Sequence, residues 1–205
     1  SSNANELALA YVSTSLSMAY WLDFFDEKRP EFVSKISNYL EKSMKLTEKT
    51  EDAYLLFLTN YALANTSISI KQDWPAAWRY AEEALRQSEN SRDHYLMGLG
   101  HDSVNVCFRS QALVEEDPEE FKEKIKQAEK HLEKSVSHFL LVCRHGLAAT
   151  DQASFAYGHI QLAEHETDPE RKRAFLQQAV KLGRQSLEYA NLSGSPQYLM
   201  GSYHD

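Results

Sequence analysis

Cysteine, glycine and proline are all scarce in this chain, with two, seven and five copies among 205 residues. So few turn residues, in a chain long enough to bury a sizeable core, lead to the expectation of an all-α fold with short connections. Two cysteines, Cys107 and Cys143, without a signal sequence, point to a reducing compartment, and the expected location is cytoplasmic. No apolar run reaches the roughly 18–20 residues of a membrane span. The richest, 53–64, is interrupted by Thr59 and Asn60 and reads as a central helix packed on several sides.

Positive charge is also in short supply. The net charge of -8 argues against nonspecific nucleic-acid binding, which needs a basic footprint. The lysines of 122–134 alternate with glutamate at helical spacing and read as a solvated, ion-paired face.

Chemistry-bearing motifs are missing as well. There is no Gly-x-Ser-x-Gly and no phosphate loop, and Gly98-Leu99-Gly100 lacks a third glycine. No two histidines lie three or four apart, which excludes the HExxH type of zinc site. Cys143 and His145 point to different helix faces, and Cys107 has no sequence-local base. No cofactor, metal or catalytic residue is expected.

What the chain does have is repetition. At 100° per residue, Phe175, Leu176, Ala179, Val180, Leu182, Gly183, Ser186, Leu187 and Ala190 fall on one stripe, with small residues along its midline. Such a midline lets a neighbouring helix approach closely. The same pattern recurs around Ile36, Ala77 and Ala128, so the anchors Ile36, Ala77, Ala128 and Ala179 lie 41, 51 and 51 residues apart. Pro30, Pro75, Pro118 and Pro169 each stand just upstream of one copy, and Asp73, Asp117 and Asp168 are placed to cap three of them. Tyr-Leu-Met-Gly occurs twice, at 95–98 followed by His101-Asp102 and at 198–201 followed by His204-Asp205. Each copy opens the helix after a repeated one.

The expected helices run about 5–26, 31–47, 51–70, 74–90, 93–115, 119–144, 148–166 and 170–191, with a ninth starting near 197. Short loops between amphipathic helices give antiparallel hairpins, and hairpins repeated at a fixed frame stack into a solenoid. The chain reads as one helical domain over 1–205, excised from a longer protein, with Ser1-Ser2-Asn3-Ala4 as a remnant of cloning.

Second helices of the form Ala-x-x-x-small-x-x-small-Leu (Ala77, Ala81, Ala84, Leu85; Ala179, Gly183, Ser186, Leu187) resemble those of tetratricopeptide repeats. So do first helices with a Gly after large apolar residues (Leu96-Met97-Gly98; Phe155-Ala156-Tyr157-Gly158). The resemblance covers nearly the whole chain, as four pairs plus a fragment. The repeat is longer than the usual 34 residues, as in the long-helix relatives found in bacterial regulatory proteins. It implies a right-handed α-solenoid of stacked antiparallel helix pairs whose first helices line a concave groove.

Two polar strips fall on those first helices: His94, His101, Asp102, Asn105 and Arg109 about Gly98, and Asp151, Ser154, Gln161 and His165 about Gly158. The resemblance implies that His101, Asn105, Arg109, Asp151, Ser154 and Gln161 face a bound protein or peptide segment, with Asn105 offering an amide to its backbone and Arg109 a fork for a carboxylate. No Lys and Asn stand at the spacing of a carboxylate clamp for chaperone tails.

The histidines invite a metal reading. His131, His138 and His145 form a heptad series, but seven residues span roughly 10.5 Å of helix, too far for two of them to share one ion. His131 also fills the slot of Tyr39, Tyr80 and Leu182, so packing is the expected role. His101-Asp102 matches the doublet of HD metal-dependent phosphohydrolases, although its recurrence at His204-Asp205 follows from repetition alone. The expected function is therefore a non-enzymatic, protein-binding input or scaffold region of a regulatory protein. Self-association through the apolar Tyr198, Leu199 and Met200 at the C-terminal end is the first alternative, and an HD-type hydrolase the second.

Overall fold

The structure is a computed structural model, and it describes residues 2–21, 29–49 and 52–195. The second Tyr-Leu-Met-Gly, the ninth helix expected near 197 and the His204-Asp205 doublet lie outside the described residues.

All regular structure among the described residues is helical, so the chain is all-α. It comprises α1 (Ser2–Trp21), α2 (Arg29–Thr47), α3 (Ala53–Thr66), a π-helical turn (Ser67–Lys71), α4 (Trp74–Ser91), α5 (His94–Ala112), α6 (Pro118–Leu141), α7 (His145–Glu164) and α8 (Pro169–Ser193). The chain forms two compact units, Ser1–Ser91 with α1–α4 and Arg92–Asp205 with α5–α8.

The helix starts follow from the residues that announced them. Asp117 accepts from the backbone N–H groups of Glu119 and Glu120, and Asp168 from those of Glu170 and Arg171; in each case proline is the first helical residue. Asp73 caps α4 by accepting from Ala76 at 3.1 Å. First helices use the same device: Asp52 caps α3 and Asp93 caps α5. Each cap satisfies amides that have no partner inside the helix, a contribution of about 1 kcal/mol.

The links are short, and three of them turn through a left-handed residue that is not glycine: Gln72 (φ 50°), Arg92 (φ 57°) and Cys143 (φ 55°). The link between α6 and α7 was expected at 145–147, but α7 already begins at His145, because the left-handed Cys143 reverses the chain within 142–144.

In each second helix the small midline is buried. Ile36, Ala77, Ala128 and Ala179 are all in the core, and so are Ser43, Ala84, Ser135 and Ser186 seven residues on. Three of those four make the same bond across a hairpin. Ser43 Oγ donates to the Ala8 carbonyl at 3.3 Å, Ser135 Oγ to Gly98 at 2.8 Å and Ser186 Oγ to Ala149 at 2.8 Å. Gly98 therefore corresponds to Ala149, 51 residues on, as Ala128 does to Ala179. Gly158, which the strip alignment paired with Gly98, lies more than two turns further along α7.

In the first unit, Val12, Ile36, Leu40, Ala62 and Leu63 form the core, flanked by Leu16, Phe32, Val33 and Met44. In the second unit the core comprises separate clusters, each joining neighbouring helices. Ala112, Phe121, Ile125 and Leu162 form one cluster, Leu132, Phe155, Ala156 and Leu182 another, and Val136, Phe139 and Ala148 a third.

Candidate functional site: a polar seam in the second unit

Helix α5 runs antiparallel to α6, and that direction brings two heptad-spaced histidine pairs into register. His94 Nδ1 lies 2.9 Å from His138 Nδ1, and His101 Nδ1 lies 3.1 Å from His131 Nδ1. Between the two rungs the His101 and His138 rings are parallel, 5.8 Å apart at an interplanar angle of 5°. For each pair of facing nitrogens to be hydrogen-bonded, one ring must carry the proton on Nδ1 and the other present a lone pair.

The inner rung lies deeper than the outer one: His101 is 4% exposed and His131 half-buried, while His94 is exposed and His138 half-buried. Burial, reinforced by the neighbouring His131, Lys134 and His138, pushes His101 down to about 3. His131 and His138 are also held below the ordinary imidazole range, chiefly by loss of water. All three rings are thus neutral near pH 7.

Beside His101 the seam continues with acidic and amide groups shared between α5 and α7. Asn105 donates to Asp102 Oδ1 at 3.4 Å. Burial raises Asp102 to about 6, against the pull of that hydrogen bond and of the Arg109 charge. Asp151 on α7 is 6% exposed, and it too is raised well above the carboxylate range, first by burial and then by the nearby Asp102; the neighbouring Ser135 hydroxyl and the charge of Arg109 oppose the shift. The Arg109 guanidinium also lies 5.8 Å from the Tyr157 ring centroid.

Of the six residues expected to face a ligand, His101, Asn105, Asp151 and Gln161 are buried, and Arg109 and Ser154 are half-buried. Sequence periodicity placed them on one face; the face proves to be the packed side, where α5, α6 and α7 meet. Asp102, Asn105, Arg109 and Asp151 come together. Gln161 lies about ten residues, or roughly 15 Å of helix, beyond Asp151. Three acceptor atoms on this face, Asn105 Oδ1, Asp151 Oδ2 and Gln161 Oε1, are buried without a hydrogen-bond partner.

Two features were not read from the sequence. The histidine rungs escape spacing rules along one helix, because the partners come from two. The available signal was the equal seven-residue spacing of His94/His101 and His131/His138 on consecutive antiparallel helices. The second is a contact between α6 and α7, where His159 Nε2 lies 3.3 Å from Glu129 Oε1. Burial, helped by Glu133, pushes Glu129 up to about 7, and burial holds His159 below its usual value. Loss of water thus outweighs mutual attraction on both sides of the pair.

His101 Nδ1 faces His131, and Asp102 faces Asn105 and Arg109, so the doublet is engaged within its own hairpin. Among the described residues no three or more His, Cys, Asp or Glu side chains are grouped to hold a metal ion, and no helix is long and apolar enough to cross a membrane. No protein-family model, no curated protein and no solved structure matches this chain.

Proposed function

We propose that the chain is a non-enzymatic, tetratricopeptide-like helical-repeat scaffold, and that the seam between α5 and α7, closed in the free protein, parts to receive a segment of a partner protein. The observation that carries this reading is the set of orphaned acceptors. Asn105 Oδ1, Asp151 Oδ2 and Gln161 Oε1 all lack a partner within the protein. A buried unsatisfied acceptor costs about 1–3 kcal/mol, and a ligand that supplies a donor recovers that cost.

All three atoms accept, so the complementary segment donates. A lysine ammonium, a free N-terminus or exposed backbone N–H groups fit, and a carboxylate does not. Arg109, expected to clasp a carboxylate, already sits in the field of the chain's own Asp102 and Asp151.

Fluorescence polarisation with short lysine-rich and glutamate-rich peptides tests the reading. Lysine-rich peptides should bind, and Asn105→Ala or Asp151→Asn should weaken them by tenfold or more. Preference for the acidic peptides, or equal binding by the variants, would sink it.

A second reading, self-association, is favoured by a separate observation. A cavity of about 280 Å³ opens between α7 and α8, with Tyr157, Leu176 and Val180 exposed at its edge. Light scattering that shows one mass for wild type and Val180→Lys at high concentration would remove this reading.

A further inference from the structure

The outer histidine rung has a geometry that two different occupants can satisfy. Facing Nδ1 atoms 2.9 Å apart can share a proton, or they can share an ion. An imidazole nitrogen binds a first-row divalent metal at about 2.0–2.1 Å. An ion equidistant from His94 Nδ1 and His138 Nδ1 at that length subtends a nitrogen–metal–nitrogen angle of about 90°. That is the cis angle of square-planar and octahedral complexes, and it is narrower than a tetrahedral site offers.

We propose that His94 and His138 form a two-histidine site for a divalent transition metal, with Cu²⁺ and Ni²⁺ preferred over Zn²⁺. Imidazole suits all three ions; the right-angle geometry and the greater intrinsic affinity of Cu²⁺ decide the order. The other coordination positions fall to water, since no third protein ligand converges there among the described residues.

The rung is built rather than accidental. The Asp93 cap fixes the first turn of α5, accepting from Tyr95 N and Leu96 N, and His94 is the first residue of that turn. His138 occupies the last turn of α6, and the parallel His101 ring behind it limits its rotation. The two helices approach closely here because Gly98 has no side chain to keep Phe139 away. Both rings reach solvent, so an ion can enter. The inner rung, His101 and His131, has similar spacing at 3.1 Å but lies deeper, and its part is to hold the outer one.

Isothermal titration calorimetry of the full chain with Cu²⁺, Ni²⁺ and Zn²⁺ tests the site, using His94→Gln, His138→Gln and His131→Gln. Glutamine keeps the rings' approximate volume, and circular dichroism checks that each variant folds. Wild type should bind one Cu²⁺ most tightly. Both His94→Gln and His138→Gln should weaken that event at least tenfold, while His131→Gln stays within about threefold. Electron paramagnetic resonance of the Cu²⁺ complex should show two imidazole nitrogens in wild type and one in His94→Gln. Unchanged affinity in both outer-rung variants, or an equal loss in His131→Gln, overturns the assignment.

Discussion

The Ser135 hydroxyl donates to the Gly98 carbonyl at 2.8 Å, and a Cβ built at Gly98 would meet the Phe139 ring at 2.6 Å. One turn of α6 thus fixes the distance to α5 twice, with Ser135 drawing the helices together and Phe139 filling the space that a side chain would take.

Gly98→Ala should therefore destabilise the second unit, although alanine favours helix by about 1 kcal/mol. Phe139 is 1% exposed, so its ring must shift against packed neighbours to admit the new methyl group. Overpacking of this kind costs about 1–3 kcal/mol. Phe139→Leu in the same chain should recover part of the loss, giving a favourable coupling in a double-mutant cycle. All three tryptophans, Trp21, Trp74 and Trp78, belong to the first unit. Hydrogen exchange resolved by segment is accordingly the measurement, and slower or unchanged exchange in α5 and α6 would refute the prediction.

Ser135→Ala and Ser186→Ala should each cost about 1 kcal/mol, the usual worth of one hydrogen bond. The effect stays modest because each accepting carbonyl also belongs to its own helix, and because Ala84 already occupies the same midline place, fully buried, in α4. Urea denaturation followed at 222 nm checks this. A loss above 3 kcal/mol would mean that the hydroxyl does more than close the hairpin.

These two predictions show what was legible. A small residue every seventh or eleventh position, a proline and a capping aspartate are local signals, so the second helices and their starts could be read directly. Orientation was not legible. Periodicity says that His101, Asn105 and Asp151 share a face with apolar neighbours, but a polar residue on such a face can line a groove or lie under the next helix. Here three helices converge on that face, and the polar groups are buried. The slot of His131 shows the same limit. Tyr39 occupies it in the first hairpin and stacks on Tyr11 at 5.5 Å, while in the third hairpin His131 meets His101. Packing was the right expectation, but the partner was not visible.

The left-handed link residues were equally hidden, because nothing in their types asks for a positive φ. Cys143 is exposed, with φ 55°. Glycine reaches that region without the clash between Cβ and backbone, so Cys143→Gly should stabilise the second unit by about 1 kcal/mol. A higher urea midpoint at unchanged slope is the expected result; a lower one would mean that the backbone is not strained there.

Glu129 should make stability fall as pH rises through the weakly acidic range. Its folded-state value of about 7 lies above the ordinary 4.5, so between these limits the folded chain holds a proton that the unfolded chain has lost. The contribution is full below pH 4.5, declines by at most about 1.4 kcal/mol per pH unit and is gone above 7. His159 acts in the opposite sense. Its value is lowered, so the unfolded chain takes up the proton first and stability falls as pH drops below 6.5. Glu129→Gln removes the first effect and leaves the second, and its stability should climb more steeply from pH 4.5 to 7 than that of wild type. Parallel curves for the two proteins would show that the carboxyl titrates normally.

Asp151→Asn should raise stability and lower binding together. Above its folded-state value the Asp151 carboxylate is a buried charge, set close to Asp102 and only partly compensated by Ser135 and Arg109. The raised value means that the surroundings disfavour the charge on balance, so a neutral side chain of the same shape should gain about 1 kcal/mol or more at pH 8. The difference should shrink as pH falls through the ordinary carboxylate range, where the unfolded aspartate also takes up a proton. Asparagine still offers an acceptor, but without the charge it holds an ammonium more weakly, so binding of lysine-rich peptides should drop in the same variant. A variant both more stable and weaker in binding marks a carboxylate retained for its ligand. A variant less stable at pH 8 would mean that the attraction of Arg109 outweighs burial, and that Asp151 is a structural ion-pair partner.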